Sequence, residues 1–358
     1  MKTEQQAAPF FFITGCGRSG TTLLRTLLDA HPGVNIALEC PLIINLSFGY
    51  ARRRIWREKH LEAFRRDLYK QFRFDQWKTD TEAVKQALLQ YRGAYRFSDL
   101  CMAVYRQYPS NFSKENICSL GDKTIVHAHY TRRLMKLFPE ARFIHMVRDY
   151  RDRNLSLSGG KPGRGQIVLK TLNWIEVQKS IEKSKAAEPH RFMTLRYEDL
   201  VNDPSAWFRK VCEFLGIAYA ESVFDYHKDD GIREKLYQRE FADTWQQHLF
   251  GPITAGQCGK WKEQMDPALT EISDRLAGKR AEEYGYERLF TAPAGPVRPA
   301  EPRARGSRPW ISPTAPSATS AAPTTTWRAC PSSPRPPAAC AACSRSCSCA
   351  ARTPGNGR

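Results

Sequence analysis

Residues 9–24, PFFFITGCGRSGTTLL, decide the fold of this 358-residue chain. The first residues form a continuous apolar run, which is typical of a strand buried on both faces of a parallel sheet. A glycine-rich turn follows, and leucines at i, i+1, i+4 and i+5 from Leu23 then give a helix one buried stripe. A strand, a glycine-rich turn and a helix in this order predict the first unit of an α/β fold.

Further short apolar runs and amphipathic stretches continue the same alternation. Strands are predicted at residues 34–38, 142–147 and 191–196, and helices at about 126–138 and about 165–187. Strands that alternate with helices form a mostly parallel sheet covered on both faces. The sequence therefore predicts an α/β fold with a P-loop-like, mostly parallel sheet flanked by helices, in a single domain at residues 1–290.

Residues 50–115 interrupt this alternation with a basic, aromatic and helical pattern. Such a pattern is typical of a helical subdomain that packs its aromatic side chains inward and solvates its basic face. The same aromatic side chains, among them Trp56, Phe64 and Trp77, are also suited to line a groove. We therefore expect a helical insert, part of which forms a lid over a bound substrate.

The composition changes sharply after residue 290. Residues 291–358 contain 13 of the 23 prolines, nine arginines, no lysine and one acidic residue. Such a stretch cannot bury enough apolar surface to offset the entropy of ordering it, so we expect a disordered tail. No metal site is predicted there, because its clustered cysteines are irregularly spaced and have no histidine or acid nearby: Cys340, Cys343, Cys347 and Cys349.

The formal net charge is +18, of which the tail carries +8 and residues 1–290 carry +10. A basic excess of this size suggests an anionic ligand such as a nucleotide, a polyanion or an acidic peptide. No apolar run approaches the roughly 20 residues of a membrane span, and no signal peptide is recognised. The six cysteines of residues 1–290 lack zinc or redox spacing, which favours reduced thiols and a cytoplasmic protein.

The turn at residues 15–22, GCGRSGTT, carries the first chemical signal. Between a strand and a helix, such a turn aims backbone N–H groups and a helix N-terminus at one point, where they bind an anion. The spacing is that of a Walker A loop, but Thr21 stands where a nucleoside triphosphatase has its lysine. Arg18 returns a positive charge within the loop. A phosphate that carries a different terminal group therefore suits the loop better than hydrolysis of ATP or GTP.

A second basic cluster follows the strand predicted at residues 142–147. Ligands of doubly wound sheets bind at the carboxyl ends of strands, so Arg148 falls on the same rim as the glycine-rich turn. Arg148 and Ser156, eight positions apart, are able to hold one phosphate through a guanidinium and a hydroxyl. The alternative is a surface ion pair of Arg148 with Asp149 or Asp152.

Residues 17–23, GRSGTTL, and the segment from Arg148 to Ser156 resemble the two phosphate-binding signatures of sulfotransferases that use 3′-phosphoadenosine 5′-phosphosulfate (PAPS). The likeness spans roughly residues 9–265, with the helical insert the least matched part. It implies that Arg148 and Ser156 bind the 3′-phosphate and that the first loop binds the 5′-phosphosulfate. The residues implied in the first loop are Gly17, Arg18, Ser19, Gly20, Thr21 and Thr22.

Two later segments agree with the same family in their order along the chain. Residues 195–200, LRYEDL, resemble the segment whose tyrosine lies beside the adenine, which implies that role for Tyr197. Gly259, Lys260 and Trp261 resemble the late loop that closes over the nucleotide. The resemblance thus implies nucleotide contacts for these three residues as well.

The protein-tyrosine sulfotransferases and their bacterial relatives are the most similar branch. Glu39 follows the second predicted strand, where this branch has its catalytic base, and Lys123 matches a lysine that acts at the leaving oxygen. Gly259 departs from the branch, which has a serine at that position. The membrane anchor and lumenal disulfides of the Golgi enzymes have no counterpart, so an acidic-peptide acceptor is not implied.

Sulfuryl transfer resembles phosphoryl transfer, an in-line displacement through a loose transition state. The resemblance assigns proton removal to Glu39 as general base, and stabilisation of the developing charge to Arg18 and Lys123. The alternatives are that Glu39 pairs with an arginine of the helix in the 50s and that Lys123 is only solvated. No metal is expected, because PAPS lacks the β,γ pair that Mg²⁺ bridges.

Three hypotheses follow. The first is a cytoplasmic PAPS-dependent sulfotransferase that acts on a hydroxyl or amine of a peptide, carbohydrate, lipid or small molecule, with the insert as acceptor lid. The second is a P-loop kinase that uses ATP with Asp149 on Mg²⁺, against which Thr21 argues. The third is a non-catalytic polyanion binder, against which the absence of a nucleic-acid-binding signature argues. The sequence leaves the oligomeric state open and is compatible with a homodimer.

Overall fold

The computed structural model of the chain describes residues 9–159, 162–228 and 251–290. Its main sheet has five strands: β1 (Phe10–Gly15), β2 (Val34–Ile36), β5 (Ser119–Asp122), β6 (Arg142–Val147) and β7 (Phe192–Arg196). Their order is β2-β5-β1-β6-β7, and every pair of neighbours runs parallel. The predicted α/β fold with a mostly parallel sheet is confirmed.

Helices flank this sheet on both faces. They are α1 (Thr21–Ala30), α2 (Leu42–Tyr50), α3 (Glu58–Leu68), α4 (Thr81–Leu89), α5 (Phe97–Arg106), α6 (Thr131–Leu137), α7 (Tyr150–Leu157), α8 (Arg164–Lys185), α9 (Tyr197–Asn202), α10 (Pro204–Leu215), α11 (Trp261–Gln264), α12 (Pro267–Ala277) and α13 (Lys279–Glu282). Short 3₁₀ turns cover Asp75–Trp77, Ile125–His129, Pro189–Arg191 and Glu221–Asp225.

The sequence of β1 explains why the protein has a core on each side of the sheet. Side chains alternate between the faces of a strand, so Phe10 and Phe12 enter one core while Phe11 and Ile13 enter the other. The first core contains buried side chains of α5 and α8, and the second contains those of α1, α9 and α10. The unbroken apolar run of β1 is therefore a requirement of burial on both faces.

Strand β5 was not predicted from the sequence. Its residues Ser119-Leu120-Gly121-Asp122 have neither an apolar run nor an alternating pattern, yet the strand lies between β1 and β2. Gly121 explains the fit, because a Cβ at this position would overlap the ring of Phe11 on β1. The strand is thus selected by a close approach of its neighbour rather than by β-propensity.

The helix predicted at about 126–138 is wrong in its first part. The structure has a 3₁₀ turn at Ile125–His129, held by bonds such as that from the N–H of His127 to the carbonyl of Thr124 (2.9 Å), and α6 begins only at Thr131. The tight turn buries His127 against the ring of Phe12, with centroids 5.8 Å apart. Packing against β1 therefore overrides the helical pattern.

Residues 50–115 contain α3, α4 and α5 together with a small antiparallel pair, β3 (Ile55–Trp56) and β4 (Gly93–Ala94). The aromatic side chains of Trp56, Phe64 and Trp77 are fully buried and belong to the same core as Phe10 and Phe12. The insert is thus packed onto the first face of the sheet. Its role as an acceptor lid stays a prediction.

The predicted tail, residues 291–358, lies outside the described residues, as does its cysteine cluster. Within the described parts of the chain, no helix is both long and apolar enough to cross a bilayer.

Candidate functional site

Residues with reactive or charged groups follow the carboxyl ends of all five strands of the main sheet. The glycine-rich turn begins at the end of β1, Lys123 follows β5, Arg148 follows β6 and Tyr197 follows β7. Glu39 lies three residues beyond β2. Because the carboxyl ends of parallel strands share one edge, these groups lie on the same rim of the sheet.

The glycine-rich turn has the geometry of an anion site. Arg18 (φ 71°) and Gly20 (φ 82°) are both left-handed, and a Cβ on Gly20 would overlap the ring of Tyr197. Helix α1 begins at Thr21 with no side-chain cap and no acidic residue in its first turn. The first N–H groups of the helix are therefore left to bind a ligand, as expected for a phosphate.

Two side chains, one from α7 and one from the turn itself, support this geometry. The buried Arg153 donates to the carbonyl of Gly17 (3.1 Å) and, on its other side, to the carbonyl of Lys170 (2.8 Å) and the amide oxygen of Asn173 (2.7 Å). The hydroxyl of Ser19 is buried and has no partner among the described residues. A polar atom of this kind favours a bound ligand, since buried hydroxyls normally make hydrogen bonds.

The structure brings the predicted 3′-phosphate ligands next to the first loop. The Nε of Arg18 donates to the hydroxyl of Ser156 (3.0 Å), and Arg148 donates to the carbonyl of Arg18 (3.1 Å). Burial, followed by the charge of Arg148, lowers the pKa of Arg18 to about 10. Two guanidiniums this close favour an anion that lies between or beside them.

Arg148 does not form the surface ion pair that was the alternative. Among the described residues, Asp149 is paired with Arg151 (2.8 Å) and Asp152 accepts from backbone N–H groups. The guanidinium of Arg148 instead stacks over the ring of Tyr197, 4.5 Å from its centroid. Burial raises the pKa of this tyrosine to about 12, so its hydroxyl is neutral at physiological pH.

Glu39 and Lys123 meet at the other end of the rim. The ammonium group of Lys123 contacts a carboxylate oxygen of Glu39 and lies 3.3 Å from the hydroxyl of Thr22 at the start of α1. Arg73, from the insert, is 3.7 Å from the second carboxylate oxygen. Glu39 thus pairs with Lys123 and with an arginine of the insert outside the 50s, and Lys123 is buried rather than solvated.

The segment around Glu39 is fixed by the insert and by β5. The indole N–H of Trp77 donates to the carbonyl of Leu38 (3.0 Å), and the N–H of Cys40 donates to the hydroxyl of Thr124 (3.2 Å). The carboxylate of Asp122 in turn accepts from the N–H of Thr124 (2.9 Å). The carboxylate of Glu39 is therefore held in place through both neighbours in the sequence.

The late loop is tied to the segment that follows β6. The buried carboxylate of Asp152 accepts from the N–H of Gly259 (2.6 Å) and from the N–H of Trp261 (2.9 Å). The guanidinium of Arg151 stacks on the indole of Trp261, 3.7 Å from its centroid. Lys260 lies between these two anchors and is half-buried.

The ring of Trp261 faces the protein interior. It is buried in a small apolar cluster with Leu155, Ile167 and Met265. The nucleotide contacts implied for Gly259, Lys260 and Trp261 stay predictions, and the geometry favours the backbone and Lys260 over the indole.

Arg153 and Arg73 help to position this site but were not predicted from the sequence, which suggested Asp152 only as an ion-pair partner of Arg148. Arg153 stands near the recognised arginine in the run RDYRDRN, so its closeness to the motif was the available signal. Arg73 lies in the insert, where many arginines alternate with aromatic residues, and the sequence carries no signal that sets it apart. Long-range packing alone brings it to Glu39.

A metal centre finds no support in the described parts of the chain, where no three His, Cys, Asp or Glu side chains converge. The expectation that transfer needs no metal stays a prediction. His127 is buried beside Asp122, with 2.7 Å between Nδ1 and a carboxylate oxygen.

Two family models match the chain. The one described as "Sulfotransferase family" covers residues 9–221, and the one described as "Sulfotransferase domain" covers residues 165–285. Together they include the glycine-rich turn, the Arg148–Ser156 segment and the late loop.

Curated relatives agree with these matches. The chain is 26% identical to the protein-tyrosine sulfotransferase of Drosophila melanogaster over 272 residues, which is 72% of this chain and 48% of that protein. It is 27% identical to protein-tyrosine sulfotransferase 1 of Danio rerio over 264 residues, which is 71% of this chain and 65% of that protein. The chain therefore spans about half the length of the first of these relatives and just under two thirds of the second.

Two solved structures share the fold. The sulfotransferase domain from the curacin biosynthetic pathway is 19% identical, with a TM-score of 0.52 over 79% of this chain and 99% of that one. The sulfotransferase domain from the Synechococcus PCC 7002 olefin synthase is 22% identical, with a TM-score of 0.51 over 80% of this chain and 98% of that one. By the match of residues 9–221 to the family model, the chain belongs to the sulfotransferase family.

Proposed function

We propose that this protein transfers a sulfuryl group from PAPS to a hydroxyl or amine acceptor. The observation that carries the proposal is that one rim of the sheet places an uncapped loop–helix anion site beside two guanidiniums and, at its other end, a glutamate–lysine pair. The anion site suits a donor with phosphate groups. The glutamate–lysine pair suits proton removal next to a leaving oxygen.

The described residues fit a nucleotide with two separate phosphate groups. The backbone N–H groups at Gly20–Thr22 and the unpartnered hydroxyl of Ser19 suit the 5′-phosphate. Arg148, whose buried Nε has no partner among the described residues, suits the 3′-phosphate together with the hydroxyl of Ser156. When bound, PAPS supplies the sulfuryl group, and its remainder leaves as 3′,5′-ADP.

Glu39 is proposed as the general base. Its carboxylate takes the proton of the acceptor hydroxyl while the acceptor oxygen forms a bond to sulfur and the bond from sulfur to the 5′-phosphate oxygen breaks. Arg18 and Lys123 stabilise the charge that develops on the sulfuryl and leaving oxygens. The electron pair of the broken bond stays on the phosphate, so charge and atoms balance.

Lys123 connects the base to the phosphate loop. Before transfer its ammonium group contacts both Glu39 and the hydroxyl of Thr22. Once Glu39 has taken a proton it is neutral, and the positive charge of Lys123 is then available to the leaving oxygen beside Thr22. Lys123 therefore orients the base before transfer, through its contact with Glu39. It favours departure of the phosphate during transfer, through its position beside Thr22.

The kinase alternative is not favoured. It assigns Asp149 to Mg²⁺, but both carboxylate oxygens of Asp149 accept from Arg151, at 3.0 and 2.8 Å. A carboxylate held by a buried guanidinium is a poor ligand for a cation. The polyanion-binder alternative is not favoured either, because it does not explain a positioned glutamate on the same rim.

The acceptor is proposed as a hydroxyl compound in a reducing compartment. The relatives named above are protein-tyrosine sulfotransferases, which favours a hydroxyl over an amine. All six cysteines of the described residues are free thiols, which supports the proposal of a cytoplasmic protein.

Thermal unfolding of the full chain with added nucleotides tests the proposal without an acceptor. We expect 3′,5′-ADP to raise the unfolding midpoint, because a ligand at 100 times its Kd adds about 2.7 kcal/mol to the free energy of unfolding. 5′-ADP and ATP–Mg²⁺ serve as matched controls and are expected to have little effect. Stabilisation by ATP–Mg²⁺ alone would instead establish a kinase loop, and equal stabilisation by any polyanion would establish a general anion binder.

A further inference from the structure

Residues 257–261, the late loop, are held by side chains of one short segment. Arg148 donates to the carbonyl of Gln257 (2.6 Å), and the carboxylate of Asp152 accepts from the N–H groups of Gly259 (2.6 Å) and Trp261 (2.9 Å). Arg151, between these two, stacks on the indole of Trp261. The late loop is thus attached at three points to the residues that follow β6.

We propose that Asp152 is a positioning residue that holds the late loop against the bound nucleotide. This inference rests on the proposed function, since it concerns the same nucleotide site. The carboxylate of Asp152 itself contacts the backbone of the loop. Its part is to fix the backbone on both sides of Lys260, so that this residue lies within reach of the nucleotide.

The chemistry of the contact supports this role. A carboxylate that accepts two backbone N–H groups forms charge-assisted hydrogen bonds, which are shorter and stronger than neutral ones. Gly259 is held at φ 74°, a left-handed conformation that a residue without a side chain adopts freely. Burial raises the pKa of Asp152 above its usual value, while the bonds to Trp261 and Gly259 act in the opposite direction. These two hydrogen bonds therefore offset the cost of burying the carboxylate.

The same segment also reaches the phosphate loop, which couples the two loops. Arg148 donates to the carbonyl of Arg18 with one nitrogen and to the carbonyl of Gln257 with the other. Arg153, next to Asp152, donates to the carbonyl of Gly17. A 3′-phosphate bound at Arg148 thus touches the residue that joins both loops, and Asp152 keeps the late loop within reach of that residue.

The test is Asp152→Asn in the full chain, with Asp203→Asn as the matched control. Asp203 also accepts from a backbone N–H, that of Ala206 (3.1 Å), but caps α10 away from the rim. The amide in Asp152→Asn would turn an N–H donor toward one of the two loop N–H groups, so we expect the calorimetric Kd for 3′,5′-ADP to rise about tenfold or more. Asp203→Asn is expected to leave both the Kd and the unfolding midpoint close to wild type, because the amide oxygen of asparagine still accepts from the single N–H of Ala206.

The outcomes separate the inference from the proposed function. Unchanged affinity in Asp152→Asn, with wild type binding 3′,5′-ADP, would overturn the inference and leave the function standing. No binding by wild type would overturn both.

Should Asp152→Asn fail to fold, Asp152→Glu and amide exchange of the wild type decide the question. The longer glutamate keeps the charge but displaces the carboxylate, so we expect its Kd for 3′,5′-ADP to rise above that of wild type. In the wild type we expect exchange at residues 257–261 to slow when 3′,5′-ADP is added. An amide-exchange rate at residues 257–261 that the nucleotide does not change, or an unchanged Kd for Asp152→Glu, would contradict the inference.

Discussion

The two ends of the rim are built in different ways. At the phosphate end, residues 15–22 and the segment after β6 contact each other directly, through Arg18 with Ser156 and Arg148 with the carbonyl of Arg18. At the other end, which contains Glu39 and Lys123 and is called the base end, Glu39 is held by residues of the insert and by Thr124, just beyond β5. Under the proposed function, anion binding thus depends on the rim and its loop backbone, whereas proton removal depends on packing of the insert.

The largest effect is expected from removing the base. Glu39→Gln keeps the size of the side chain but cannot accept the acceptor proton, so single-turnover transfer from radiolabelled PAPS should fall by about 10²–10⁴-fold. Affinity for 3′,5′-ADP should be kept or increased, because loss of the Glu39 charge leaves the ammonium group of Lys123 available to the phosphate beside Thr22. Glu62→Gln, at an exposed pair with Arg65, is the control. Equal turnover of Glu39→Gln and wild type would contradict the assignment.

Nucleotide binding at the phosphate end should be weakened most selectively by replacing a glycine of the turn. Gly20→Ala places a Cβ against the ring of Tyr197 at φ 82°, and backbone strain of about 1–3 kcal/mol predicts a tenfold or greater loss of affinity for 3′,5′-ADP. Gly49→Ala, in α2, is the control, because a Cβ at this position would meet no atom within 4 Å and φ is not left-handed. Calorimetric titration measures both. Equal affinities of the two variants would refute the loop geometry.

Two buried tryptophans allow a crossed test of the comparison. Trp77 donates to the carbonyl of Leu38 at the base end, and Trp174 donates to the carbonyl of Arg148 (3.1 Å) at the phosphate end. Each change to phenylalanine leaves a buried carbonyl unpaired, at a cost of about 1–3 kcal/mol in the free energy of unfolding. We expect Trp77→Phe to lower turnover several-fold at unchanged nucleotide affinity, and Trp174→Phe to weaken affinity. The same changes in turnover and in nucleotide affinity in both variants would contradict the distinction between the two ends.

The smallest effect is expected at Arg73. Its pair with Glu39 spans 3.7 Å and is partly exposed, and such pairs contribute only about 0–1 kcal/mol. Arg73→Gln should therefore change turnover less than about threefold, with Arg66→Gln, from a similar pair with Asp67, as the control. A loss of turnover comparable to that of Glu39→Gln would show that Arg73 acts on the substrate itself.

The phosphate end was predictable from the sequence for a physical reason. A buried strand, a glycine-rich turn and a helix are local features, and the anion site they form needs only the backbone of residues 15–22. Arg148 was likewise recognised because it directly follows a strand, and parallel strands end on one rim. The motif therefore predicts the geometry of the turn, because the residues that form the turn are neighbours in the sequence.

The base end was predictable only in part. Glu39 and Lys123 were identified through the family resemblance, but their mutual contact depends on β5, whose sequence has no strand signal. Pairing of that strand with β1 requires a glycine at position 121 to admit the ring of Phe11, a contact between residues far apart in the chain. Arg73 and Trp77 reach the rim only once the insert has packed onto the sheet. Long-range packing of this kind leaves no trace in a local pattern.

The most direct test of the account is whether this protein recognises a 3′-phosphate through Arg148. Calorimetric titration of 3′,5′-ADP and 5′-AMP, which differ only in that phosphate, should be made on wild type and on Arg148→Ala. We expect wild type to prefer 3′,5′-ADP by at least about tenfold, since a phosphate held by an arginine forms charge-assisted hydrogen bonds, and Arg148→Ala to lose that preference. Equal affinity of wild type for the two nucleotides would contradict the account.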